Sequence, residues 1–285
     1  MSEQHDLRPE SDTWRRERPF VGFDRHGPAQ NQLLAALPLA NYRRLLPALE
    51  PVALPVGRTV HESGDDERCL YFLTAGIVCR FYGPENGSCA GLGITGNEGV
   101  IGIASFLGGE RSPSQAEVLC AGYAYRLSAA VQKRQFEFDG PLPQLLLHYT
   151  RALFTQIGQT AACNRHHSLQ QRLCRLLLSC RDRLPSNRIA LTQRRLAHIL
   201  GVRREGVTEA ARRLEEAGLI HSIRGQLTIL DRAGLEAQAC ECYEVVRRSH
   251  DLLLDDYRRI EEAAWVPRIT RPLRGFSAEP MVATA

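Results

Sequence analysis

The chain has 285 residues, 44% of them hydrophobic, and a formal net charge of +4. That length suits two ordinary domains, and the composition supports a packed core. No apolar run approaches the roughly 18 residues that span a bilayer, and the polar, charged stretch up to about residue 32 lacks a signal peptide's apolar centre, so a cytoplasmic protein with no membrane partner is expected.

Residues 1–30 are charged and interspersed with Pro and Gly, the composition of a disordered tail. Apolar positions at Leu33, Leu34, Leu37, Leu45, Leu46 and Leu49 then predict one or two short helices. From Val52 to Leu127, short β-prone runs (Leu70–Leu73, Ile77–Tyr82, Ala116–Cys120, Tyr123–Leu127) alternate with Gly-rich turns such as Gly96-Asn97-Glu98-Gly99. Such spacing predicts an antiparallel jelly-roll barrel, here assigned to residues 31–140.

Pro141 and Pro143 fit the start of a long helix over 141–163. Leu142, Leu146, Tyr149, Leu153, Ile157 and Thr160 follow at steps of three and four, a narrow stripe on one face. The stripe reads as a homodimer seam, with packing on the chain's own barrel as the alternative. Asn164 to Ser168 reads as a hinge. A second helix opens at Ser168, which with Gln171 forms a capping box, and buries Leu169, Leu173, Leu176, Leu177 and Cys180.

Residues 164–232 form the next unit. Thr192 caps a helix running to Leu200, Ala197 permits a close crossing, Gly201 supplies a left-handed corner, and Val207 buries the inner face of the following helix. This spacing is that of a helix-turn-helix. The second helix ends at Ala217-Gly218, and two short strands joined at Arg224-Gly225 form a wing. Fourteen arginines face six carboxylates between Asn164 and Arg232, a local surplus of +8 that leaves −4 on the rest of the chain. Such a footprint belongs to a polyanion binder, and the partner expected is double-stranded DNA.

The chemistry of each exposed position assigns its role. Arg204 matches guanine, Glu205 accepts from cytosine N4, and Thr208 meets a base or a thymine methyl. Arg203, Arg212 and Arg213 suit phosphates, Gln193 adds a phosphate contact from the first helix, and Arg224 reaches the backbone from the wing tip. Residues 233–264 predict a further helix, from about Gly234 to Ala264, and residues 265–285 a second disordered tail.

Nine cysteines, odd in number and irregularly spaced, include no CxxC pair, so reduced buried thiols and no metal site are expected. Cys240-Glu241-Cys242 is the one pair that invites metal or oxidant chemistry. The adjacent His166 and His167 would diverge on a helix.

With these motifs in place, the chain resembles the Crp/Fnr transcriptional regulators from about Asn31 to Tyr243. In the barrel the resemblance rests on Pro55-x-Gly57-x-x-Val60-x-x-x-Gly64 and Tyr71-Phe72-Leu73-x-x-Gly76-x-Val78, a cyclic-nucleotide-binding-like pattern. In the other unit it rests on Gly201-Val202-Arg203-Arg204-Glu205-Gly206-Val207. The resemblance implies an α+β chain: an N-terminal antiparallel jelly-roll barrel, a long dimerisation helix, and a C-terminal winged helix-turn-helix. It also implies a homodimer on a palindromic operator, an Arg204–Glu205 pair that reads bases, and contact with RNA polymerase. Glu209 replaces a family arginine, so a different operator is expected.

The effector side departs from the family pattern. Ile103 stands where a cyclic-nucleotide binder has its ribose-binding Glu, and the phosphate position falls near Pro113-Ser114, leaving Arg111, Ser112 and Ser114 as the candidate cofactor-binding residues. Cyclic AMP is therefore not expected, nor is an iron–sulfur cluster, since the first cysteine is Cys69. The effector, an unidentified small molecule, is left open. No nucleophile–base pair or paired carboxylates mark a catalytic site, and no enzyme is expected. A small-molecule sensor acting through protein partners is the alternative, and a barrel enzyme the remote one.

Overall fold

The computed structural model describes residues 27–83, 90–108, 111–131 and 140–264. Most of the two tails lies outside the described residues. The end of the first does not, because Pro28–Gln30 forms a short 3-10 turn tied to the Asn97 loop. Helix α1 (Gln32–Ala36) is capped by Asn31, whose side chain accepts from the Leu33 and Leu34 amides and donates to the Leu73 and Gly99 carbonyls at 2.8 Å. One buried amide thus fixes the helix and its contact with the sheet. Helix α2 (Leu39–Leu45) follows.

Six antiparallel strands form the jelly-roll-like sheet: β1 (Glu50–Leu54), β2 (Thr59–His61), β3 (Cys69–Tyr82), β4 (Ala90–Thr95), β5 (Val100–Ile101) and β6 (Gln115–Ser128). Their order is β1-β6-β3-β4, with β2 also on β6 and β5 on β3, and the ladder does not close into a full barrel among the described residues. The sequence divides β3 and β6 into two runs each, but both are continuous 14-residue strands. Gly76 and Gly122 mark where they cross. A Cβ on Gly122 would lie 1.9 Å from the Ala75 carbonyl oxygen, and one on Gly76 2.6 Å from that of Cys120. The register shifts there, so the glycines bend the strands without ending them.

Helix α3 (Pro141–His166) is longer than the expected 141–163 and consumes most of the expected hinge. Its stripe does not face outward. Leu142, Leu146, Tyr149 and Leu153 are buried with Leu70, Phe72, Val100 and Leu127 of the chain's own sheet. The seam reading of that stripe is therefore corrected, because its apolar side chains are already buried within the chain, against the sheet and Leu253 and Tyr257. On the opposite face, Leu147 and Phe154 are exposed, Phe154 by 69%.

Helix α4 (Leu169–Arg183) begins with the Ser168–Gln171 capping box. Then come β7 (Arg188–Ile189), α5 (Gln193–Leu200), α6 (Arg204–Glu216), β8 (Ile220–Ile223) and β9 (Gln226–Ile229), with the small sheet in the order β7-β9-β8. The C-terminal segment is two helices rather than one: α7 (Arg232–Gln238) and α8 (Cys242–Ala264), broken at the Cys240 turn. Helix α8 runs back along α3 and sinks Leu253 and Tyr257 into the core beneath the sheet.

The winged-helix unit does not stand apart. Ile77, Phe81 and Ile94 of the sheet share one apolar core with α4, α5 and α6. Among the described residues no helix is long and apolar enough to cross a membrane.

Candidate nucleic-acid interface

The helix pair is built as its spacing predicts. The Thr192 hydroxyl accepts from the Arg195 amide at 3.2 Å, Gly201 adopts φ 62°, and Val207 is fully buried among Leu196 and Leu200. Those contacts set α6 across α5 and leave the N-terminal half of α6 outward. Arg203, Arg204, Glu205 and Thr208 are all exposed there. Gln193 joins them from α5, accepting the Thr208 hydroxyl proton at 2.8 Å. The wing tip turns through two left-handed residues, Arg224 (φ 48°) and Gly225 (φ 81°), which presents the Arg224 side chain at the surface.

Arg212 and Arg213 are exposed on the same helix but are not free cations. Glu209 pairs with Arg212 at 2.8 Å and with Arg213 at 3.0 Å, and Arg212 also pairs with Glu216. Hydrogen bonds from the two arginines hold the Glu209 carboxyl down to about 2. Glu209 therefore engages two of the arginines that the sequence assigned to phosphates.

A second feature lies in the jelly-roll. A cavity of about 240 Å³ is bounded by Arg80, Ile103, Leu107, Ser112 and Ser114 of the sheet domain and by Thr150, Leu153, Phe154 and Ile157 of α3. Ser112 and Ser114 are buried there, with the Ser112 hydroxyl donating to the Ser114 carbonyl at 2.9 Å. Arg111 does not reach the cavity. It is exposed on a backbone bridge to Asp66. The sequence offered no sign of Arg80, whose guanidinium lines the cavity but is committed to the Thr95 hydroxyl and the Val100 carbonyl, both at 2.7 Å.

A jelly-roll sheet joined through one long helix to a winged helix-turn-helix is the architecture of a two-domain helix-turn-helix protein. Residues 171–238 match the Crp-like helix-turn-helix domain. The fold of the chain is that of solved Crp/Fnr regulators. FixK2 from Bradyrhizobium japonicum superposes with a TM-score of 0.59 at 16% identity, over 67% of this chain and 98% of that one. CLP from Xanthomonas campestris, described as a c-di-GMP responsive global regulator, gives 0.56 at 16% identity over 68% and 100%. A CRP-family transcriptional regulator from Thermus thermophilus, TTHB099, gives 0.54 at 21% identity over 67% and 96%. Among curated proteins the sequence has no match.

Proposed function

We propose that the chain is a cytoplasmic, sequence-specific DNA-binding regulator that acts as a homodimer on a palindromic operator. The observation that carries this reading is the exposed cluster Arg203, Arg204, Glu205 and Thr208 at the N-terminal end of α6, flanked by the Arg224 wing. A helix presented this way meets base edges with its first turn, and the wing meets the backbone. Arg204 and Glu205 read bases; Arg203, Gln193 and Arg224 hold phosphates and set register.

The exposed face of α3 supports the dimer. Leu147, Arg151, Phe154, Gly158, Ala161 and Arg165 recur there at steps of three and four, and all are exposed. Gly158 and Ala161 allow close approach of a second helix. Pairing along this face would space two recognition helices about one DNA turn, ~34 Å, apart. The cavity abuts the same helix through Thr150, Leu153, Phe154 and Ile157, so a ligand there touches the dimer element itself. Control requires unequal ligand affinity for two dimer states. The largely apolar walls and committed Arg80 favour a small apolar effector over a cyclic nucleotide. RNA polymerase is the partner through which bound regulator acts on transcription.

The test is binding to duplexes selected from the source genome at several salt concentrations. Arg204→Ala is expected to relax base preference at one position of each half-site, at a cost of about 1–3 kcal/mol. Arg224→Ala is expected to weaken all sequences alike and to reduce the salt slope by about one. Equal losses on every duplex for both variants overturn the assignment.

A further inference from the structure

We infer that Cys163, His167, Cys240 and Cys242 form a tetrahedral site for a single zinc-class divalent ion. The fold brings together two pairs that are remote in sequence. Cys163 and His167 stand one turn apart at the C-terminal end of α3, on one face. Cys240 and Cys242 flank the break between α7 and α8. The four ligand atoms all lie within 4.8 Å of one another, and the three thiols are buried.

The spacing is that of one ion. The Cys163 and Cys240 sulfurs are 3.5 Å apart, and Cys242 Sγ lies 3.4 Å from His167 Nδ1. Two sulfurs each about 2.3 Å from one tetrahedral metal lie ~3.8 Å apart. A four-iron cube would hold its ligands further apart. Three thiolates and an imidazole form the mixed sulfur–nitrogen set that zinc prefers among divalent ions.

The surroundings are those of a metal site. His167 Nε2 faces the Glu241 carboxylate at 3.2 Å, which places the ring proton on Nε2 and leaves the Nδ1 lone pair toward the sulfurs. Gln159 donates to Cys242 Sγ at 3.1 Å. Zinc with three thiolates and a neutral imidazole carries one negative charge. Arg172 and Arg175, both within electrostatic reach of Cys163, are buried, have unpartnered Nε atoms, and pair with no carboxylate among the described residues. The loaded site supplies that missing counter-charge. An ion here clamps the end of α3 to the start of α8, so it fixes how the C-terminal helix and the winged-helix unit seat on the rest of the chain.

The test is metal analysis of the full chain after zinc-supplemented expression and dialysis, with cobalt(II) substitution as the spectroscopic arm. About one zinc per chain is expected, with the visible bands of tetrahedral thiolate-bound cobalt. Cys242→Ser and His167→Ala are expected to weaken zinc binding roughly tenfold or more, and Glu241→Gln to weaken it less. Cys69→Ser, remote from the site, serves as the control and keeps full loading. Far-UV circular dichroism keeps the comparison to folded variants; if Cys242→Ser does not fold, Cys242→His, which retains a ligand, is expected to fold and hold zinc. Metal content well below one per chain at saturating zinc overturns the proposal, as does loading indifferent to His167 and Cys242, or a Cys163–Cys240 disulfide in protein purified without oxidant.

Discussion

Glu98 and Arg183 form an ion pair of 2.7 Å across the junction of the jelly-roll and α4, with side chains only 11% and 8% exposed. The Gly96 amide donates to the other carboxylate oxygen at 3.0 Å, so the acid is fully engaged. Removing either partner strands a buried charge. Glu98→Ala is expected to cost about 3–5 kcal/mol, and Glu98→Leu with Arg183→Leu considerably less, since a matched apolar pair avoids the desolvation penalty. Urea unfolding of the three proteins checks this, and equal losses for single and double variants would refute it.

The same junction makes stability sensitive to acid. Both ring nitrogens of His250 are out of solvent and unpartnered, and burial pushes its pKa down from 6.5 to about 4, against the pull of Glu98. Between those values the unfolded chain binds the proton and the folded chain does not, so stability rises with pH across that window. Burial works against the Glu98 carboxylate, but Arg183 and His250 outweigh it and hold its pKa below the ordinary value, so its contribution is likewise lost as pH falls. The unfolding free energy is expected to fall from pH 6.5 toward pH 4, and His250→Leu to flatten part of that slope. A slope unchanged by His250→Leu contradicts the assignment.

Glu209 restrains two arginines at the edge of the reading face. Glu209→Ala frees Arg213 for phosphate while Arg212 keeps its pairing with Glu216, so affinity for random duplex is expected to rise several-fold and the salt slope to steepen by about one, as roughly one counterion is released per new phosphate contact. Filter binding from low to moderate salt measures both quantities. A weaker or unchanged salt slope would show that Arg213 does not reach DNA.

Phe154 is 69% exposed on α3, so a charge there is cheap for one chain and costly against a second apolar helix face. Phe154→Glu is expected to give monomers by sedimentation while changing unfolding of the single chain by under about 0.5 kcal/mol. A dimer that survives the substitution places the interface elsewhere.

The helix-turn-helix was legible because its constraints are local. Thr192, Ala197, Gly201 and Val207 each act within one or two turns of backbone, and spacing alone aligns cap, crossing and corner. The wing was legible for the same reason, since Arg224-Gly225 needs only a two-residue turn. The interruptions at Gly76 and Gly122 misled because glycine both ends strands and bends them; which it does depends on the partner strand, whose Ala75 carbonyl lies 1.9 Å from the missing Cβ of Gly122.

What the residues determined by themselves was the helix pair, its wing and the face of α6 turned outward, because helical periodicity and caps are properties of short stretches of chain. What only the tertiary structure decided was which surface each apolar stripe met. The Leu142–Leu153 stripe had no means of distinguishing its own sheet from a second copy, since the hydrophobic effect is non-directional. The joining of Cys163 and His167 to Cys240 and Cys242, from opposite ends of the winged-helix unit, likewise depended on α8 folding back along α3.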